Sequence, residues 1–298
     1  MSLILELHQI EENDRMRVGG KAFHLALMRK GGMRVPRALC ISGDAYREFV
    51  HQTGLNSRIH FELNRKNFEE MRWEEIWDGA LRIRNLFINT PIPDALYQAL
   101  EKPLQEAFEK TPVAVRSSGE DEDSAGRSFA GLHDSYVNVR GVESIVNHVK
   151  RVWASLWSDR ALLYRKELGL DMQTSAMPVV VQELCAGRVS GVAFSRGPSG
   201  EDHAVIEAVY GLNQGLVDGM VQPDRWIVSR TATASMEHHP PAVRQSLVPA
   251  RDSMKLIELP ANMAEKPPLE DSDVLLVRDL VLSAETLFES PQDVEWTF

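Results

Sequence analysis

The chain has 298 residues, 43% of them hydrophobic and 26% charged, with a formal net charge of −10 at neutral pH. That balance suits a globular protein and argues against a nucleic-acid backbone as partner, which favours a basic face. No apolar run approaches membrane-spanning length, and the first residues lack the basic start and cleavage site of an export signal.

Two cysteines, Cys40 and Cys185, have no ligand-like spacing. A disulfide framework or structural zinc site is therefore not expected, and a reducing cytoplasm fits. Along the chain, Leu3–Leu7 reads as a strand or extended arm. Val18-Gly19-Gly20-Lys21 follows, then a helix pattern from Ala22 that stops at Gly31-Gly32, because glycines tolerate the positive φ past a helix end. Residues 44–110 read as mostly helical, with apolar spacing around Trp73, Ile76, Trp77, Leu81, Ile83 and Leu86 and breaks at Pro91 and Pro93. A β-branched strand, Val113–Ser118, runs into an acidic small-residue loop from Gly119 to Gly131, then a second strand at Tyr136–Val139. One amphipathic helix is expected from Ile145 toward Tyr164. From Met177 the period changes to strands: PVVVQEL, VSGVAFS, HAVIEAVYG and a late VLLVRDLV. Between them, Thr231–Pro268 reads as irregular with a short strand at most. Short strands with few long helices indicate an antiparallel-rich α+β fold.

Several residues carry possible chemistry. Gly19-Gly20-Lys21 ahead of a helix offers backbone amides and an ammonium to a phosphate, without the spacing of a Walker A loop; a turn with a surface lysine is the plainer alternative. Arg116 at a strand end suits a polyphosphate, or pairs with the acids Glu120–Asp123. GRSFAG, residues 126–131, offers either a flexible cover or an ordinary loop. Asp293 and Glu295, two apart in a strand, share a face and would converge on a cation such as Mg²⁺; a solvent-facing strand edge gives the same pattern. His133, His238 and His239 are the histidines to test as bases, against ordinary polar roles.

In order and spacing these segments resemble one family. VGGKAFHLALM is similar to the opening lysine motif of phosphoenolpyruvate synthase and pyruvate phosphate dikinase. VAVRSSGEDEDSAGRSFAGLHDSYVNV resembles the family's arginine-and-loop motif, and VWASLWSDRALLYR the helix that follows. PVVVQELCAGRVSGVAFS resembles the adenine-hinge strand, YGLNQGLVDGMVQPDRW the G-L-G-E-x-x-V-x-G-x-V-x-P-D stretch, and PQDVEW the acidic metal motif.

The resemblance implies an ATP-grasp fold of two lobes, 1–181 and 182–298, holding Mg-ATP between them. By position Lys21 and Arg116 would be the catalytic, polyphosphate-contacting cations. Gly131 and Ser135 would lie on the closing loop, and Gln182, Glu183 and Leu184 would form the adenine hinge. Glu295, with Asp293, would bind Mg²⁺, and Glu207 would serve ribose or metal. The implied activity is a dikinase-type phosphotransferase that passes phosphate to a histidine on a swivelling domain and then to an acceptor such as pyruvate, releasing AMP and phosphate. That histidine domain and the acceptor domain would be partners, elsewhere on a parent chain or on a separate subunit. Gln214 stands where the family has glutamate. The family's Gln-x-Arg-Pro strand, expected after D-x-E-W, would follow Phe298. Two other readings compete: a regulatory nucleotide-sensing domain without catalysis, and a structural scaffold.

Overall fold

The computed structural model describes residues 2–67, 70–119, 132–168, 175–197, 202–231, 235–250 and 254–298. The chain divides into two compact units, Met1–Leu184 and Cys185–Phe298.

The first unit is built on a five-stranded antiparallel sheet. Its strands are β1 (Ile4–Glu6), β2 (Ala38–Ile41), β3 (Val113–Ser117), β4 (Ser135–Val139) and β5 (Val179–Glu183), in the order β1-β2-β5-β3-β4. Successive side chains alternate between faces, and the sheet is covered on both. One face carries Leu39, Ile41, Val113, Val115, Val179 and Val181 into the main core. That core is completed by α2 (Gly43–Gln52), α3 (Leu55–Leu63), α4 (Trp73–Asn89), α5 (Asp94–Phe108) and α6 (Val142–Ser155). The other face carries Leu5, Ala38, Cys40 and Val180 against Val18, Ala22, Phe23 and Ala26 of α1 (Arg15–Lys30). The central strand β5 is therefore buried on both sides, which is why it reads as an unbroken valine run. Val179, Val180 and Val181 are each fully enclosed, worth about 1.5–3 kcal/mol apiece in apolar burial. Pro112 and Pro178 close the β3–β5 ladder as acceptors, from Leu184 N (2.9 Å) and Ser118 N (3.0 Å), since proline has no amide to donate.

The stretch 44–110 is mostly helical, and its apolar positions are not all turned inward. Ile76, Ala80, Ile83 and Phe87 of α4 enter the core, whereas Trp73 and Trp77 are 64% and 50% exposed. The single helix expected from Ile145 is two, α6 and α7 (Asp159–Glu167). Ser158 caps the second by accepting from Ala161 N at 3.2 Å.

The second unit holds a seven-stranded sheet. Its path is β11 (Met254–Glu258), β10 (Gln245–Pro249), β7 (His203–Gly211), β6 (Val189–Phe194) and β12 (Asp293–Thr297); β8 (Asp224–Ser229), which follows β7 after the short helix α8 (Gln214–Val217), joins β7 to β9 (Met236–His239). Only the β10–β7 pairing is parallel among the described strands. Two expectations are corrected here. The stretch Thr231–Pro268 is not irregular: it contains β9, β10, β11 and the short helix α9 (Ala261–Ala264). VLLVRDLV is not a strand but the middle of α10 (Asp271–Phe288). Val274, Val277, Val281 and Ala284 recur at helical spacing on its buried side, and Glu270 with Asp273 forms a capping box at its start.

Helix α10 packs against β6, β7, β8 and β12 and is fixed by charge. Glu285 accepts a bidentate pair from Arg230 (2.8 and 3.0 Å) and a further bond from Arg196 at 3.1 Å. The Arg230 hydrogen bonds hold its carboxyl well below the usual range, at about 2. A depressed folded value means that this stabilisation is present above the unfolded carboxylate's pKa and is lost as pH falls through the folded one. Glu285→Gln is expected to be less stable than the parent at neutral pH, with the gap closing between about pH 5 and about pH 2. Denaturant unfolding across that range measures it.

Candidate nucleotide site

The glycine–lysine segment lies inside α1, not ahead of it. Gly19, at φ 75° and ψ 174°, interrupts the helix, so Gly20 and Lys21 open a second helical segment. The first amides of such a segment lack intrahelical acceptors. Here the end of β3 supplies them from a distant part of the chain: Gly20 N donates to Gly119 O (3.4 Å) and Ala22 N to Ser118 Oγ (2.9 Å). The Ser118 hydroxyl in turn donates to Val18 O at 2.8 Å. At Gly19 a Cβ would lie 1.4 Å from Ser118 O, so both the backbone conformation and the close approach require glycine. The Lys21 ammonium donates to Ser117 O at 3.3 Å, beside Arg116.

Arg116 stands in a row of directly opposed residues that crosses the sheet: Leu5, Cys40, Val180, Arg116, Ser135. Residues paired in this way share a face. Leu5, Cys40 and Val180 lie under α1, so Arg116 and Ser135 are on the face that carries Lys21. Gln182, opposite Ala114, belongs to that face too, and Glu183, opposite Val113, belongs to the other. The Glu183 amide donates to Arg37 O (2.8 Å) and the Leu184 amide to Pro112 O (2.9 Å). Gly131 and the acids Glu120–Asp123 lie outside the described residues. The first unit thus gathers Lys21, Arg116 and Ser135, with Gln182 two residue pairs along.

In the second unit β12 alternates strictly: Val294 and Trp296 are buried, and Asp293, Glu295 and Thr297 are exposed. Trp296 stands opposite Gly191, where a Cβ would come within 2.5 Å of the indole. A second row crosses this sheet: Glu295, Val192, Glu207, Arg225. Strands lie about 4.8 Å apart, so Glu295 and Glu207 are roughly 10 Å apart on one face. Glu207 is already engaged, accepting from Arg225 Nε at 2.8 Å. Among the described residues no three His, Cys, Asp or Glu side chains converge. Asp293 and Glu295 are hard oxygen donors on one face, which fits Mg²⁺, a cation that keeps several waters and takes one or two carboxylates plus phosphate oxygens.

His238 has a structural partner set. Its Nε2 lies 2.7 Å from Asp224 Oδ1, its ring stacks on Trp226 at 4.5 Å, and Asp224 also accepts the Arg244 fork at 2.7 Å twice. His239 lies 3.2 Å from Glu237 on the exposed strand β9. The sequence reading passed over Ser118, whose hydroxyl links segments about a hundred residues apart and leaves no periodic signal. It also passed over Asn213. Both polar side-chain atoms of that residue, and Oε1 of Gln214 beside it, are buried without a protein partner, which is unusual for buried amides.

Comparison with known proteins identifies the family of the chain. The family model for the pyruvate phosphate dikinase AMP/ATP-binding domain matches residues 15–298. The chain belongs to that family. It is 35% identical to a phosphoenolpyruvate synthase of Aeropyrum pernix, over 99% of this chain and 40% of the relative. It is 32% identical to a probable phosphoenolpyruvate synthase of Methanocaldococcus jannaschii, over 100% of this chain and 26% of the relative. A rifampicin phosphotransferase of Streptomyces sviceus is 34% identical, over 98% of this chain and 34% of the relative. The chain therefore spans between about a quarter and two fifths of the length of these relatives. Among the described residues no helix is long and apolar enough to cross a membrane.

Proposed function

We propose that this domain binds Mg-ATP for a phosphotransferase of the dikinase type, with the nucleotide held in an ATP-grasp arrangement of two lobes. The observation that carries the reading is the clasp between α1 and β3, which sets the Lys21 ammonium beside Arg116 at the start of a helical segment. Two cations suit a polyphosphate, whose growing charge during transfer they would offset. Ser135, the first residue of β4 and opposite Arg116, stands where the closing loop would meet the sheet; Gly131, assigned to the same loop, lies outside the described residues. Gln182, Glu183 and Leu184 form the adenine segment. Because the Glu183 and Leu184 amides already have acceptors, adenine recognition by those two residues falls to carbonyl oxygens and side chains. Asp293 and Glu295 hold Mg²⁺, which when bound neutralises phosphate charge. Glu207 accepts the Arg225 fork through Oε1 alone, so its Oε2 would serve ribose or metal with that pair intact.

The resulting reaction sends phosphate from ATP to a histidine on a separate swivelling domain and then to an acceptor such as pyruvate, in the cytoplasm. The histidine-bearing and acceptor-binding domains are the partners this requires, since no histidine of this chain stands in the family's T-x-G-G-x-T-x-H context.

Thermal unfolding with and without Mg-ATP tests the reading. At nucleotide about a hundred times its dissociation constant, stabilisation of about 2.7 kcal/mol should raise the midpoint by roughly 5 °C. No shift at millimolar Mg-ATP would remove the nucleotide reading.

A further inference from the structure

We propose that Ser118 is a positioning residue for Lys21: it touches no ligand and sets where the lysine stands. This rests on the nucleotide reading for its consequence, but its geometry lies within the first unit alone. Ser118 is fully buried, and its one hydroxyl uses both of its hydrogen-bonding modes on the two sides of the α1 interruption. It donates to Val18 O, the last carbonyl before Gly19, and accepts from Ala22 N, the amide just after Lys21. The residue it holds is therefore bracketed from both sides.

The neighbouring contacts set the direction. The carbonyl of Ser118 occupies the space that a Cβ at Gly19 would need, and Gly119 O accepts from Gly20 N. Together they press the interruption onto the end of β3. Ser118 is fixed in turn by its own amide, which donates to Pro178 O at 3.0 Å, just before the start of β5. The position of Lys21 is thereby referred to the sheet that carries Arg116, and not to α1. Without the hydroxyl, the Ala22 amide and Val18 carbonyl each lose a buried partner, and the segment can relieve them only by moving away from β3.

Two readouts test this. The first needs no nucleotide: the rate at which an amine-acylating reagent labels Lys21, followed by mass spectrometry and normalised to the exposed Lys102. Ser118→Ala is expected to speed labelling of Lys21 several-fold. Ser118→Cys, which keeps the volume but bonds weakly, should fall between Ser118→Ala and the parent. An unchanged Lys21 rate in folded Ser118→Ala, or in Ser118→Cys should the alanine variant not fold, overturns the proposal. The second readout is a double-mutant cycle on Mg-ATP affinity. Ser118→Ala should weaken binding about tenfold in the parent and less than about twofold in Lys21→Ala. An equal loss in both backgrounds would mean that Ser118 acts on the fold and not through Lys21, which also overturns it. If the parent chain binds no Mg-ATP, the nucleotide reading fails and the labelling rates still decide the placement.

Discussion

Gly19→Ala is expected to lower the stability of the first unit by at least about 3 kcal/mol, and its unfolding midpoint by roughly 6–12 °C. Two independent effects add. Gly19 sits at φ 75° and ψ 174°, a region essentially restricted to glycine that costs a residue with a Cβ about 1–3 kcal/mol. The new Cβ would also overlap Ser118 O, at a separation of 1.4 Å. Because that neighbour is backbone, no rotamer change relieves the overlap. The interruption of α1 must then shift from β3, taking with it the Ala22–Ser118 and Gly20–Gly119 bonds. Calorimetry measures the effect, and a loss below about 1 kcal/mol would show that the approach is not as close as described. Nucleotide affinity should fall in the same variant, since Lys21 moves with its segment.

Replacing both carboxylates proposed to hold the metal, Asp293→Asn with Glu295→Gln, is expected to weaken Mg-ATP binding roughly 100-fold, about 2.7 kcal/mol. Stability without ligand should change by less than about 0.5 kcal/mol, because both side chains are on the exposed face of β12 while Val294 and Trp296 carry its packing. The two carboxylates repel one another until a cation stands between them, so the loss should grow with magnesium concentration. Calorimetric titration with ATP over a range of Mg²⁺ separates the cases. Equal dependence on Mg²⁺ in parent and variant would remove these residues from the metal site.

What the sequence revealed depended on how local its cause was. The strand character of Val113–Ser117 and Val179–Glu183 was legible because a strand covered on both faces needs apolar, β-branched side chains at successive positions. VLLVRDLV shows the limit of that rule. Its composition favours a strand, yet three valines and an alanine at helical spacing, with a capping box upstream, make it α10. β9 and β11 escaped notice because they are mostly exposed and lack a buried alternating face, and a proline-rich setting hid β10. In α4 the helical spacing was legible, and Ile76 and Ile83 of that pattern do face the core, whereas Trp73 and Trp77 are exposed. At the candidate site, Lys21 and Arg116 were read as single residues. What joins them, a serine hydroxyl bonded across about a hundred residues, has no local signature.

The place of β5 in the first unit has a consequence for how the chain is made. It is the central strand of its sheet, flanked by β2 and β3, yet it is the last of the five in sequence. Until residue 183 has been synthesised, β2 and β3 lack the neighbour that both require, and each presents an unpaired edge. The Ser118 amide likewise waits for Pro178. A nascent chain can form its helical hairpins early, because their contacts are local, while the long-range pairing waits. Assembly of the sheet, and with it the clasp that places Lys21, is therefore a late and concerted event. During translation the interval between Val113 and Glu183 is the period in which this domain is most exposed to mispairing.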